Sequence, residues 1–358
     1  MNGISLFCSA GIGELLLPKK IHIVCANELI QKRAECYSFW NPTTKMICGD
    51  ICDENIKKDI VEIAKKENAK FFLATPPCQG VSTLGKNKLP KEYLEDPRNF
   101  LVLQALEIFE KCDFDYGLIE NVPRFLDMLF PYQGKMVPLV TILNKKFGST
   151  YVVDARVLNA EDYGVAQSRP RALIKIYKKG LNWPWPKTMP IITLRQAIGN
   201  LPSLEAGEDS GIKWHYAKKE NPRAVLAMKH TATGKSAIYN EVYYPKKEDG
   251  SRIKGFHNTY RRMLWDEPCP ARTMYNGSIS SHNNVHPGRL CADGTYSDAR
   301  VLTLLETFIV SSIPTTIEFP SWANENFIRQ IIGEAIPPLL LCKVVELIGR
   351  RPENANNG

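Results

Sequence analysis

The chain has 358 residues, 44% of them apolar and 23% charged, and a formal net charge of +8. That length can bury a large core and suggests two domains, in the composition range of soluble globular proteins. With no secretory leader pattern and no apolar run of membrane-spanning length, neither secretion nor membrane insertion is expected, and a cytoplasmic protein with ten reduced cysteines is.

The first predicted strand covers 3–8 and runs into Phe7-Cys8-Ser9-Ala10-Gly11-Ile12-Gly13, where small residues let the chain turn tightly and approach a ligand. A second strand over 21–26 closes on Asn27-Glu28, an acid placed to accept hydrogen bonds from ribose hydroxyls. A turn of this kind with a downstream acid fits a nicotinamide, a flavin or an S-adenosylmethionine site alike. Helical periodicity over 28–39 follows, then Gly49-Asp50-Ile51 near a strand end. Cys48 and Cys52 have no second Cys/His pair at zinc spacing, so no metal site is expected.

A second helix is predicted over 56–67 and a buried strand over 71–74, ending in Ala74-Thr75-Pro76-Pro77-Cys78-Gln79-Gly80. Two prolines cannot extend the strand, so the Cys78 thiol is presented on a stiff turn at a strand's carboxyl end. In an open α/β sheet, ligands gather at that edge. After a helix over 100–111, the strand over 116–120 ends in Glu120-Asn121-Val122, placing a carboxyl group at the same edge. A thiol beside an acid that can serve a ring nitrogen suits attack on an aromatic heterocycle; a helix-capping Glu-Asn turn would look the same. Strands over 151–158 and 172–177 flank Gln167-Ser168-Arg169-Pro170-Arg171, whose arginines share a side if extended and suit phosphate or carboxylate. The alternation of strands and helices predicts βα units and a mostly parallel sheet.

Beyond Tyr177 the texture changes to loops and short strands as far as about Arg300, with helices over 301–312 and 324–332. Between Leu181 and Pro270 stand 14 Lys/Arg against 9 Asp/Glu, with aromatic residues that include Trp183, Trp185, Trp214, Tyr243, Tyr244 and Trp265. Basic charge interleaved with aromatics suits a polyanion with stackable bases, and equally a solubilising surface.

In the order FCSAGIG, NE, GDI, PPCQG, ENV, QSRPR, a variable basic segment and IGEAIPP, the chain resembles the DNA cytosine 5-methyltransferases over nearly its whole length. The resemblance implies a doubly wound, mostly parallel, Rossmann-like α/β sheet of the S-adenosylmethionine-dependent methyltransferase kind. A smaller, irregular, β-containing target-recognition domain accompanies it. The implied boundaries are a catalytic domain at 1–180, target recognition at 181–319, and a C-terminal segment at 320–358 that returns to the catalytic domain. By the same resemblance Cys78 is the nucleophile, Glu120 its partner, and Arg169 and Arg171 support a flipped base. Phe7, Ser9, Ala10, Gly11, Gly13, Glu28, Asp50, Ile51, Pro76 and Leu101, with Glu334 and Ile336, would line the S-adenosyl-L-methionine pocket. Ser9 and Ile12 stand where the family usually has glycines, and Glu334 where it typically has asparagine.

The implied partner is double-stranded DNA, bound by a monomer, in a restriction-modification system whose endonuclease it does not touch. An RNA-modifying relative is the first rival, but the Cys-Phe-Thr signature of that branch is absent from this chain. A nicotinamide-dependent oxidoreductase leaves PPCQG and Gln-x-Arg-x-Arg unexplained. A non-catalytic DNA-binding module leaves Cys78 and Glu120 without a role.

Overall fold

The computed structural model describes residues 1–77 and 96–351, so Cys78 lies outside the described residues. The chain divides into two compact units. Met1–Asn159, Pro170–Lys187 and the chain from Leu341 make the first; Ala160–Arg169 and Thr188–Leu340 make the second. Among the described residues no helix is long and apolar enough to cross a membrane.

The first unit is built on strands β1 (Asn2–Leu6), β2 (His22–Glu28), β3 (Lys45–Cys48), β4 (Phe71–Ala74) and β5 (Tyr116–Asn121), all mutually parallel. Helices α1 (Gln31–Trp40), α2 (Glu54–Lys66) and α3 (Leu101–Lys111) alternate with them. A hairpin of β6 (Leu129–Tyr132) and β7 (Lys135–Pro138), helix α4 (Leu139–Phe147) and strand β8 (Tyr151–Asn159) come next. Strand β9 (Gln167–Ser168) belongs to the second unit, and β10 (Pro170–Lys178) returns to the first. The seven-stranded sheet runs β3-β2-β1-β4-β5-β10-β8, with β10 antiparallel to both its neighbours. Every residue of β4 and β5 is buried, as expected of parallel strands covered on both faces. Phe72, Phe109 and Phe114 pack beside them, the first two edge to face at 5.2 Å.

Local signals set the helices. Asp53 caps α2 by accepting the Asn55 amide at 2.8 Å, and Lys65 and Lys66 sit in its last turn, each favourable to the helix dipole. Helix α2 buries Ile60, Val61 and Ala64. The strand order reverses between β1 and β4, and their carboxyl ends form the switch point where such sheets bind ligands.

The first unit continues past residue 180 because the Trp-Pro-Trp-Pro segment is bolted to the sheet. The Trp183 indole donates to the Val344 carbonyl at 2.8 Å and the Trp185 indole to Asp154 Oδ2 at 2.6 Å. Lys175, buried in β10, donates to the Trp183 carbonyl, and its ammonium lies 3.8 Å from the Trp185 ring centroid. Burial pushes the Lys175 ammonium down to about 8.

The second unit contains α5 (Leu194–Ile198), α6 (Pro222–Lys229), β11 (Cys269–Pro270), α7 (Leu304–Val310) and α8 (Glu325–Glu334). Helix α9 (Pro338–Val345) then leads from it into the first unit. Its ladders are short: β11 pairs with β9, and elsewhere there are single bridges such as Val285 with Val301. Buried arginines do the work that a sheet would do. Arg262 donates to the carbonyls of Met228, His286 and Asp298, while Arg329 joins Asn276 and the Leu302 carbonyl. The Arg329 contacts hold α8 within the second unit, so the return to the first unit comes at Leu341.

At the heart of this unit Arg300 pairs with Asp298 Oδ1 at 2.8 Å and with Glu306 at 2.7 and 3.0 Å. His286 lies 3.8 Å from Asp298 and 3.7 Å from Glu306. Burial pulls the His286 imidazole down to about 3. Burial also opposes charge on Asp298 and Glu306, but the nearby cations outweigh it and hold both carboxyls below their usual range. An unfolded histidine takes its proton near 6.5, so the unfolded chain binds more protons below that pH and stability falls with it. The depressed carboxyls add a second loss below pH ~4. The expected result is a melting temperature that declines from pH 6.5 downward. His286→Gln should flatten the decline between pH 6.5 and 4 in calorimetry; an unchanged slope would refute it.

Candidate active site

The carboxyl ends of five neighbouring strands, β3-β2-β1-β4-β5, are stitched together by side chains. After β1 the backbone takes left-handed conformations at Phe7, Ser9 and Gly11, with φ of 57°, 48° and 84°. Gly11 has no alternative, because a Cβ there would stand 2.7 Å from the Tyr37 ring as well as being strained. The Cys8 amide donates to the Asn27 carbonyl at 3.1 Å and the Ser9 amide to Glu28 Oε2 at 2.9 Å, fixing this turn to the end of β2. Glu28 is buried and its other oxygen accepts the Ile30 amide at 2.9 Å. Asn27 donates to the carbonyls of Ile47 and Gly49, which ties β2 to β3. Asp50 is exposed, accepting the Cys52 amide, and Ile51 beside it is buried.

On the other side, Thr75 donates its hydroxyl to the Phe7 carbonyl at 2.9 Å. The Asn121 side chain donates to the Pro76 carbonyl at 2.9 Å, joining the proline turn to β5. A rigid turn is thus braced from both flanks one residue before Pro77, and Cys78 follows Pro77 in the chain. Asn27, Thr75 and Asn121 carry this bracing. Sequence reasoning gave them no such role; the cue was their position at strand ends, where a short polar side chain can reach a neighbouring carbonyl.

Glu120, at the end of β5, is buried against Arg171 of β10, with Nε 2.8 Å from Oε1. Burial pulls the Arg171 guanidinium down and the Glu120 charge holds it up, so the two stabilise each other where neither is well solvated. Leu101 opens α3, half-buried against the core, after Asp96 has capped the preceding turn through the Arg98 amide at 3.0 Å.

Arg169, Glu334 and Ile336, expected at the site from the sequence, lie in the second unit. Arg169 donates to the carbonyls of Arg272 at 2.6 Å and Gly333 at 2.7 Å. Gln167 donates to Ser311 and accepts the Arg272 amide. Gly333 lies so close to the Thr273 backbone that a Cβ would approach it to 2.3 Å. Glu334 ends α8 half-buried, and Ile336 is buried. The aromatic residues of the basic segment are mostly structural. Trp265 is buried and donates to the Gly288 carbonyl, and Trp214 packs edge to face on Phe308 and Phe319. Tyr239, Tyr243 and Phe256 are exposed, Tyr243 stacking on His230 at 3.6 Å.

Residues 1–350 match the family described as C-5 cytosine-specific DNA methylase. The chain is 47% identical over 340 residues to the Type II methyltransferase M1.HgaI of Avibacterium volantium, covering 95% of each. It is 27% identical over 352 residues to the Type II methyltransferase M1.HphI of Haemophilus parahaemolyticus, covering 96% of this chain and 86% of that one. Among solved structures, Spodoptera frugiperda DNMT2 superposes with a TM-score of 0.62 at 15% identity, covering 97% of this chain and 98% of that one, a likeness of fold. With the family match spanning both units and a relative 47% identical over 95% of the chain, the chain belongs to the C-5 cytosine-specific DNA methylases and is a DNA (cytosine-5) methyltransferase.

Proposed function

We propose that the chain methylates carbon 5 of a cytosine within one specific double-stranded DNA sequence, using S-adenosylmethionine, as the modification enzyme of a restriction-modification system. It would act as a monomer on DNA without contacting the cognate endonuclease. The observation that carries the chemistry is the buried Glu120–Arg171 pair at the end of β5, one strand over from the turn that leads through Pro77 to Cys78. The two relatives above, both Type II methyltransferases by name, support the biological setting.

Carbon 5 of cytosine is a poor nucleophile. Addition of the Cys78 thiolate to carbon 6 places enamine character on carbon 5. The charge so created collects at ring nitrogen 3, where Glu120, charged against Arg171 in the free protein and protonated once the base is bound, would meet it, with Arg171 orienting that carboxyl. Loss of the carbon 5 proton and elimination of Cys78 complete the cycle. A stacked base cannot be reached in this way, so the cytosine must leave the duplex at a cost of a few kcal/mol.

S-adenosylmethionine, when bound, supplies the electrophilic methyl group. The residues present fit it: a turn of small residues after β1, the buried Glu28 carboxylate to accept ribose hydroxyls, and Leu29, 63% exposed, beside it as an apolar surface for a nucleobase. Phe7, Ser9, Ala10, Gly11, Gly13, Asp50, Ile51, Pro76 and Leu101 would complete the first unit's lining of the pocket. Glu28→Ala should weaken S-adenosylmethionine binding by about 1–3 kcal/mol, since a hydroxyl loses its acceptor. Calorimetry decides it. Unchanged binding would remove Glu28 from the site, and tight binding of NAD with none of S-adenosylmethionine would overturn the cofactor assignment.

A further inference from the structure

Beneath the turn after β1 lies a carboxyl group that the chemistry above does not use. Glu14 ends the short 3-10 turn that Gly11 caps, and it reaches back into the unit. The Ser5 hydroxyl, from β1, donates to its Oε1 at 2.5 Å, and the Tyr37 hydroxyl, from α1, donates to its Oε2 at 2.7 Å. Both donors are buried. The Tyr37 ring is the surface on which Gly11 rests, the one against which a Cβ would stand at 2.7 Å. One carboxyl group therefore connects the strand before the turn, the helix under it and the residue at its tightest point.

We propose that Glu14 is a positioning residue for the Phe7–Gly11 turn, holding that turn in its cofactor-binding form when its carboxylate accepts both hydroxyls. The inference rests on the reading of this turn as the S-adenosylmethionine site. A carboxylate can accept from Ser5 and Tyr37 at once, whereas a protonated carboxyl must give one of those bonds up or reverse it. The ionisable groups facing Glu14 are the Tyr37 phenol of α1 and the Cys8 thiol of the turn. Burial pushes both up, so each is neutral across the physiological range. Ser5 of β1 does not titrate, and among the described residues no Lys, Arg or His pairs with Glu14. Burial without a cation pushes the Glu14 carboxyl up to about 7, with the two hydroxyls opposing.

The signs separate positioning from a merely structural role. A carboxyl raised above its unfolded value stabilises the fold at low pH and loses that contribution as pH rises through about 7. The turn's hydrogen bonds become complete in the same interval. Cofactor affinity should thus rise with pH while the contribution to stability falls.

The test uses the full chain and S-adenosylhomocysteine, the stable product form of the cofactor, with calorimetric dissociation constants at pH 6 and pH 8 and thermal melts alongside. The wild-type protein is expected to bind several-fold tighter at pH 8, up to about tenfold for one unit of coupled shift. Glu14→Gln, which offers one acceptor oxygen, should bind equally at both values and near the weaker wild-type level. Tyr37→Phe keeps the ring under Gly11 and removes one hydroxyl, so it should also blunt the rise even if the Gln variant fails to fold. Wild-type affinity independent of pH, or a Tyr37→Phe protein with the full wild-type rise, would overturn the proposal. A wild-type protein that binds no S-adenosylhomocysteine at either pH would overturn the cofactor reading itself, and this inference with it.

Discussion

Replacing Cys78 with alanine is expected to lower the methylation rate by about four to six orders of magnitude, because it removes the only route to a nucleophilic carbon 5. A thiolate added at carbon 6 changes the electronic character of the ring, and no hydrogen bond substitutes for that covalent step. The loss should fall on chemistry alone. DNA and cofactor binding should stay within a few-fold of the wild type, since the thiol is one group among many at the site. DNA carrying 5-fluorocytosine at the target should trap the wild-type protein covalently and leave Cys78→Ala free, because fluorine cannot depart as a proton does. Denaturing electrophoresis of the trapped complex reads the result. A fully active alanine variant would refute the nucleophile assignment.

The second large effect is expected at Glu120. Glu120→Ala removes the proton donor for ring nitrogen 3 and should lower the single-turnover rate by about 10²–10⁴. It also strands Arg171, whose side chain is only 11% exposed, as an uncompensated buried charge. Breaking a buried pair from one side costs about 3–5 kcal/mol, so the melting temperature should fall as well. Glu120→Gln separates the two losses. The amide oxygen can still accept from Arg171, so much of the stability should return, while the rate stays low because the amide carries no transferable acidic proton. A Gln variant with the wild-type rate would mean that Glu120 only holds Arg171 in place.

Much of the first unit was legible because its strands are continuous apolar runs between turn residues. Phe71-Phe72-Leu73-Ala74 and Tyr116–Asn121 are buried throughout, and their ends are marked by Pro76-Pro77 and by Asn121-Val122. Strand β3 was not legible: Lys45-Met46-Ile47-Cys48 buries a single residue, and its pairing with β2 holds it rather than its own pattern. The β6–β7 hairpin and α4 escaped for a similar reason, being short elements whose identity depends on what they pack against.

The Gln-x-Arg-x-Arg reading shows where local periodicity stops. Side chains two residues apart share a face only within one continuous strand. Here Ser168 ends β9, which pairs with β11, and Pro170 begins β10, which pairs with β5 and β8. Arg169 therefore spends its guanidinium on two backbone carbonyls, and Arg171 on Glu120. The tryptophans of the basic segment mislead for a complementary reason. Trp183 and Trp185 fasten their segment to the first unit's sheet, and Trp214 and Trp265 pack within the irregular second unit; composition alone cannot separate such uses from base stacking. The Glu14 contacts with Ser5 and Tyr37 span 9 and 23 residues and become visible only when β1 and α1 are in place.

The reaction proposed for this chain is methyl transfer to carbon 5 of cytosine in DNA by way of Cys78. Its most direct test is base-resolution methylation mapping of DNA from cells expressing either the wild-type chain or Cys78→Ala. The wild-type chain is expected to leave 5-methylcytosine at one recurring short sequence, and the variant none. Methyl groups on adenine or on the exocyclic nitrogen of cytosine, or an identical 5-methylcytosine pattern from the alanine variant, would contradict it.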